Sequence, residues 1–514
     1  MTESLGKIGK GTSILFIGTA FGLFFNFIAR VIIAQFYTPA DYGLFNLYYT
    51  ILSIFSSIGI IGLKSGIQRN IAYYLGKDEE EKVPEIIGWG ISIGLVGGVI
   101  FGIILFHFAD PIAAVFSEEP ALGNYFKLAA IAVPFYALLI LLVSVFRGFQ
   151  RTKEKILFED LGKNTLILCA VIPIALMSLG FFNVILGASL SIILISILFF
   201  YYYRRNIKRL LDLKPTVRWD LSVGKKLMLF SLPLLFVEIM YRIMGWADTL
   251  MIGYFMAEDF VGYYQAAKPM SRFIGTPFDV AHFLYSPIAA TLFAKTMFRE
   301  NKVIFISLTK WICFGTLPLV IAFVFYPGWI LDFFFGVEYS TAIVPLQILS
   351  VMYFINNFMG PNGATLTAFG RTKFLMYATG AAAGLNLIFN TLLIPYFGIV
   401  GAAVATAISI ISVNVIRVKK LNDISGIHTI KPILLAPITL SLLLSVPLTY
   451  ALTQIFPTTI YLVIISVLIF YLIFFFSIIM TKSLSKDDIE LLLLIEKRSG
   501  IDLSWLRKIL KRFV

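Results

Sequence analysis

The sequence predicts an all-α integral membrane protein of fourteen transmembrane helices, and three observations carry that prediction. Of its 514 residues, 59% are hydrophobic and only 14% are charged. The apolar residues gather into runs of about 20, enough to cross a hydrocarbon core about 30 Å thick as helix. Thirty-six of the 42 Lys and Arg residues fall into alternate gaps between those runs, and the other gaps contain none.

Taken in order, the runs place spans at 13–37, 42–63, 86–108, 124–146, 164–179 and 182–203. Six more lie at 227–255, 260–293, 303–325, 342–369, 374–394 and 399–416, and a last pair at 432–452 and 458–480. The first begins after Lys7 and Lys10 but is too long for a signal-peptide core, so it reads as an anchor. Cys169 and Cys313 lie inside spans without C-x-x-C spacing and read as small packing residues.

The basic clusters are Lys7/Lys10, Lys64/Arg69/Lys77/Lys82, Arg147/Arg151/Lys153/Lys155/Lys163 and a dense run from Arg204 to Lys226. Beyond them come Lys295/Arg299/Lys302, Arg371/Lys373, Arg417/Lys419/Lys420/Lys431 and eight in the tail. The intervening gaps carry acids instead: Asp41, Asp110, Glu118, Glu119, Glu258, Asp259, Asp332 and Glu338. The positive-inside rule then expects a multi-pass protein of the cytoplasmic membrane with both termini cytoplasmic. The net charge of +13 is mostly this topology, which argues against nucleic acid as a partner.

An internal repeat organises the spans. Asp41-Tyr42-Gly43 comes after Phe36-Tyr37 between spans one and two, and about 218 residues later Asp259-Phe260-Val261-Gly262 comes after Tyr254-Phe255 between spans seven and eight. Six spans per unit is an even number, so both copies enter the membrane in the same direction. The expected organisation is a six-helix lobe at 1–203, a basic linker at 204–226, a second lobe at 227–417, helices thirteen and fourteen at 432–480, and an amphipathic cytoplasmic tail at 481–514. The linker also reads as a solvated loop held at an anionic leaflet, worth about 1 kcal/mol per basic residue. In the tail, Ser485 to Asp488 begins a capped helix and 503–514 is basic and amphipathic.

Pro269, Pro277 and Pro287 interrupt the long eighth span, and such helices bend around something. Gly94, Gly98 and Gly102, with Gly380 and Gly384, have the spacing of close helix packing.

Six basic residues remain outside the cytoplasmic set. Lys127 and Lys310 lie near span ends and read as snorkelling. Arg30, Arg242, Lys268 and Arg272 lie deeper, together with Glu238, Asp248 and Asp279, and seven such groups facing lipid would cost about 20 kcal/mol. They must face one another or water. Lys268, Arg272, Asp279 and His282 are spaced to share one stripe of the eighth span, and Glu238 with Arg242 is an i, i+4 pair. The first lobe offers Asn26 and Arg30 on span one and Asn46, Thr50, Ser53 and Ser57 on span two. One reading is a hydrated chamber with a basic, asymmetric wall; the other is a set of buried ion pairs that fix packing.

No catalytic motif, metal-ligand spacing, Walker loop or cofactor-binding pattern occurs, so an enzyme is not expected, and pumping would have to use an ion or substrate gradient.

Asn386-Leu-Ile-Phe-Asn390-Thr-Leu-Leu-Ile-Pro395-Tyr-Phe-Gly398-Ile-Val-Gly401-Ala-Ala-Val-Ala-Thr406 resembles the N-x-x-x-N-x-x-L-I-P-x-x-G-x-x-G-A-A-x-A-T stretch of polysaccharide transporters. These belong to the multidrug/oligosaccharidyl-lipid/polysaccharide exporter superfamily. The Asp41-Tyr42-Gly43 turn, Trp246 to Gly253 and Arg147 to Arg151 are similar to further hallmarks. The resemblance implies two six-helix bundles around a central cavity, two extra C-terminal helices, and alternating-access flipping of a lipid-linked oligosaccharide across the cytoplasmic membrane. It implies that Arg30, Arg242, Lys268 and Arg272 receive the carrier's phosphate or pyrophosphate, with Asn26, Asn46 and Ser53 also lining the cavity. Glu238, Asp248, Asp279 and His282 are then left for ion coupling, by H+ or Na+, or for charge pairing. Membrane lipids and glycan-assembly enzymes are the other implied partners. A multidrug/cation antiporter and a peptidoglycan-precursor flippase share the fold and stay open as alternatives.

Overall fold

The computed structural model describes residues 2–75, 77, 79–117, 121–151, 153–211, 219–429 and 431–484. Among these every regular element is a helix. The chain runs through α1 (Thr2–Phe36), α2 (Pro39–Gly59), α3 (Leu63–Leu75), α4 (Val83–His107), α5 (Ala109–Ala113) and α6 (Ala121–Gly148). A π-helix (Lys155–Gly162) leads into α7 (Lys163–Leu176), and then come α8 (Phe181–Leu211), α9 (Leu221–Phe255) and α10 (Glu258–Arg272). A 3₁₀ turn (Phe273–Gly275) precedes α11 (Thr276–Ala294), α12 (Phe298–Phe325) and α13 (Pro327–Phe335), and another (Val337–Ala342) precedes α14 (Ile343–Phe358). The chain continues through α15 (Asn362–Ala368), α16 (Thr372–Ser425), α17 (Pro432–Ile455) and α18 (Ile460–Met480).

Nine described helices are long and apolar enough to cross a membrane, or ten if α2 and α3, bent by 48°, form one broken span. The expected count of fourteen is not reached among the described residues, and several of the expected spans are irregular. At 54 residues α16 holds far more helix than one crossing needs, because it is two helices joined at a fold. Gly398, at φ 57° and ψ −138°, folds it between the two expected spans. The helix of the fifth span, α7, has only 14 residues, and the eighth is broken by the 3₁₀ turn at Phe273–Gly275.

Two compact units form, Ile14–Gly262 and Tyr263–Val514 with Met1–Ser13. In the first, α6 packs against α2, α4 and α8, and α9 packs against α2, α3 and α4. Its core joins Ile60, Ile67, Ile87, Leu141 and Leu227. Phe199 stacks on Phe158 with ring centroids 4.1 Å apart. As the spacing predicts, Gly94, Gly98 and Gly102 bring α4 against Leu141, Pro134 and the Ala130 carbonyl of α6. Gly380 and Gly384, of which the same was expected, meet open space. They lie on a side of α16 that meets no neighbour, while Ala382 and Ala383 beside them are buried.

The starts of α2 and α10 meet backbone to backbone. The Glu258 carbonyl abuts Gly43, and the Pro39 carbonyl abuts Gly262, a reciprocal contact between the two helix starts. A Cβ at either glycine would strike backbone, so only glycine allows this approach. Thr38 and Asp41 form a capping box that closes the start of α2.

Helix α9 starts earlier than the expected span, at Leu221. Asp220 caps it by accepting from the Ser222 amide, and those Ser222 bonds hold its carboxyl below the usual range. Glu85 of α4 accepts the Asp220 N–H at 2.6 Å, and Trp219 meets Trp89 edge-on. The basic stretch thus ends in ordered helix, while Lys214 and Arg218 lie outside the described residues. So do Glu118, Glu119 and the tail from Ser485.

In the second unit α12 packs against α14, α17 and α18, and α14 against α16. Lys310 corrects an expectation here. It is 2% exposed, and its ammonium donates to the Ser483 carbonyl at 2.6 Å, just beyond α18. It does not snorkel, because the end of α18 packed on α12 supplies an acceptor inside the protein. Lys310→Met is therefore expected to destabilise the protein by about 1–3 kcal/mol, read as a lowered detergent melting temperature. A wild-type melting point would restore the snorkelling reading. Lys127 meets Asp110 at 2.8 Å at the start of α6, with both side chains partly exposed. Cys313 is buried, as a packing residue should be, whereas Cys169 is exposed and does not pack.

Candidate functional site

The first unit carries its polar side chains in a line along α1. Thr19, Asn26 and Arg30 recur at spacings near a whole number of turns, so they share a face extending about 16 Å. The Arg30 Nε donates to Asn26 Oδ1 at 3.0 Å, and Nη1 donates to Asn46 Oδ1 of α2 at 2.6 Å. Asn46 is 3% exposed and is itself fixed by donating to the Tyr42 carbonyl. Asn26 donates to Asn164 of α7, whose own amide donates to the carbonyls of Gly22 and Asp160.

Both Arg30 partners are neutral amides. Amide oxygens orient a guanidinium without cancelling its charge, which a carboxylate would do. The acid nearest this line is already engaged: Asp160 accepts from Lys155 at 2.7 and 2.8 Å and from Thr19 at 2.7 Å. Two turns of π-helix present it, and each wide turn rotates the downstream helix by about 100°.

That rotation also moves Lys163. The charge pattern assigns it to a cytoplasmic cluster, yet its ammonium stands over the Tyr136 ring of α6, 5.5 Å from the centroid. Tyr49 of α2 and Glu159 lie in the same electrostatic neighbourhood. Arg242 of α9 acts on Tyr136 as well, and it rests on Trp246 at 5.2 Å. Arg30, Tyr49, Tyr136, Lys163 and Arg242 all keep part of their surface open, while Asn46 and Asn164 behind them are buried. Ser53 is partly open on α2, and Asp248 is fully buried on α9. The Glu238 side chain lies outside the described residues.

The second unit holds Lys268, Arg272, Asp279 and His282, but not as one continuous stripe. Lys268 lies over Tyr264 at 5.6 Å, and Arg272 ends α10. Asp279 and His282 belong to α11, beyond the 3₁₀ turn, where His282 lies beside Phe278. The break separates the two pairs because Pro269 and Pro277 remove helix hydrogen bonds on either side of it. Asn357 donates to the freed Ile274 carbonyl at 2.8 Å. Pro277 sits in the first turn of α11, a position that suits proline. Pro269→Ala and Pro277→Ala are expected to slow transport several-fold while leaving membrane insertion and substrate binding intact. Unchanged rates in both would make the prolines structural only.

In α16 the N-x-x-x-N spacing is realised as a chain of bonds: Asn390 donates to Asn386, which donates to Thr406 across the Gly398 fold, each at 3.2 Å. Among the described residues no cluster of His, Cys, Asp or Glu could hold a metal ion.

With this geometry in view, the chain is similar to an uncharacterized membrane protein of Methanocaldococcus jannaschii, 25% identical over 74% of this chain and 77% of the relative. It is similar to the probable low-salt glycan biosynthesis flippase Agl15 of Haloferax volcanii, 24% identical over 77% of this chain and 79% of that protein. The structure of the lipid II flippase MurJ in an inward closed conformation shares the fold, with TM-score 0.71, 16% identity, and coverage of 90% of this chain and 97% of that one. The MatE family matches residues 233–392. The polysaccharide biosynthesis protein family matches residues 8–276, more than half of the chain. With its membrane-spanning helices and this match, the chain belongs to the polysaccharide biosynthesis protein family, a branch of the multidrug/oligosaccharidyl-lipid/polysaccharide exporter superfamily of membrane transporters and flippases.

Proposed function

We propose that this protein flips an oligosaccharide or polysaccharide repeat unit, linked to its lipid through phosphate or pyrophosphate, across the cytoplasmic membrane by alternating access. The proposal includes fourteen spans, two six-helix lobes and cytoplasmic termini. The observation that carries it is Arg30, a guanidinium inside the helical bundle held by two neutral amides and so left fully cationic. Such a group suits a phosphate oxygen and repels an organic cation. In proteoliposomes the purified chain should equilibrate a fluorescent lipid diphosphate-linked oligosaccharide between leaflets. Gradient-driven efflux of organic cations without lipid flipping would favour the antiporter instead. A coupling cation and contacts with glycan-assembly enzymes remain part of the proposal, with Asp248, Asp279 and His282 as the titratable groups at hand.

The topology has its own check. In a Cys169→Ser background an impermeant thiol reagent applied to intact cells should label Ser117→Cys but not Lys153→Cys, whose side chain is exposed. The opposite pattern would reverse the orientation.

A further inference from the structure

We propose that Lys163 and Tyr136 are substrate contacts, and that they read the junction where the first sugar meets the phosphate. The inference rests on the lipid-linked glycan reading above and adds the chemical class of the group this part of the site recognises.

Three features of the first unit point there. First, three cations of this unit, Arg30, Lys163 and Arg242, each keep part of their surface open, and among the described residues the acids beside Lys163 do not pair with it. Asp160 is taken by Lys155 and Thr19, and among the described residues Lys163 forms no ion pair with Glu159 or Asp160. An ammonium resting on a ring makes only a weak contact, so an arriving phosphate oxygen is a better partner.

Second, the aromatic groups are placed as a platform. Tyr136 presents a ring to Lys163, and Tyr49 stands beside it with its hydroxyl buried and lacking a hydrogen-bond partner among the described residues. A flat ring offers apolar area to the C–H face of a pyranose. A buried phenol lacking a partner is left unsatisfied until a ligand hydroxyl meets it.

Third, the amides Asn26, Asn46 and Asn164 back the same face with donors and acceptors in fixed positions. A site built from cations, aromatic rings and amides matches a sugar diphosphate better than it matches a bare anion or an apolar cation.

The test measures binding of two probes to the full-length protein in detergent: a polyprenyl diphosphate, and the same lipid carrying one hexose. Lys163→Gln should weaken both about 10-fold, and Lys163→Arg should restore most of the loss. Tyr136→Leu should weaken the hexosyl probe alone, bringing it level with the bare lipid, while Tyr136→Phe should bind like wild type because the ring is what stacks. Melting temperatures of all variants identify any that fail to fold, and the two conservative changes then decide the matter: weak binding by folded Lys163→Arg or Tyr136→Phe overturns the proposal. Wild-type affinity in Lys163→Gln, or equal loss of both probes in Tyr136→Leu, also overturns it. If the unaltered protein binds neither probe, the lipid-linked glycan reading itself falls.

Discussion

Arg30→Gln should reduce flipping of a lipid diphosphate-linked oligosaccharide by about 100-fold or more while the protein still inserts and folds. The guanidinium is oriented by bonds of 3.0 Å to Asn26 and 2.6 Å to Asn46, and among the described residues its other N–H groups carry no hydrogen bond. Two charge-assisted bonds to a phosphate at about 1.5–3 kcal/mol each account for a loss of that size. Glutamine removes the charge and places its amide near the position of Nε, so it can still meet Asn26 but is too short to replace the Nη1 bond to Asn46. Arg30→Lys should fall between, since an ammonium is a point charge that cannot hold both amide oxygens and a phosphate in one plane. Fluorescence-quench kinetics in proteoliposomes check this, and wild-type rates for Arg30→Gln would remove Arg30 from the site.

Neutralising Arg242, Lys268 and Arg272 together should abolish flipping. The single changes should differ in degree. Arg242 acts on Tyr136 within the unit that holds Arg30 and Lys163, so Arg242→Gln should account for the largest share. Lys268 lies against Tyr264, and Arg272, exposed at the end of α10, has Asp279 as an electrostatic partner. Each of these two changes should cost less. A triple variant that flips at the wild-type rate would end the anionic-substrate reading and put the cation antiporter first.

Much of this site was legible in one dimension. Arg30, Asn26 and Asn46 stand out because charge and amide inside apolar runs are costly unless they meet, and in the fold they do meet. The break in the eighth span was marked by its prolines. Lys163 was missed for a definite reason. It lies at the seam between a basic loop and a helix, where charge counting assigns it to water, and eight residues of π-helix change the phase that a 3.6-residue period assumes. The run Glu159, Asp160, Lys163, Asn164, with polar residues at helical spacing just before an apolar stretch, was the available signal.

The sequence by itself determined the class of protein, the position of most helices and the alternation of basic and acidic gaps between them. These features arise from local quantities, because transfer from water to lipid is set residue by residue along a run. The tertiary structure alone decided which cations share a face, that Lys310 is buried against the end of α18, and that Gly94 packs while Gly380 does not. Those outcomes depend on helical phase through the π-helix and the 3₁₀ break, and on which neighbour fills each groove. Both are set by contacts between residues far apart in the chain, so no local pattern encodes them.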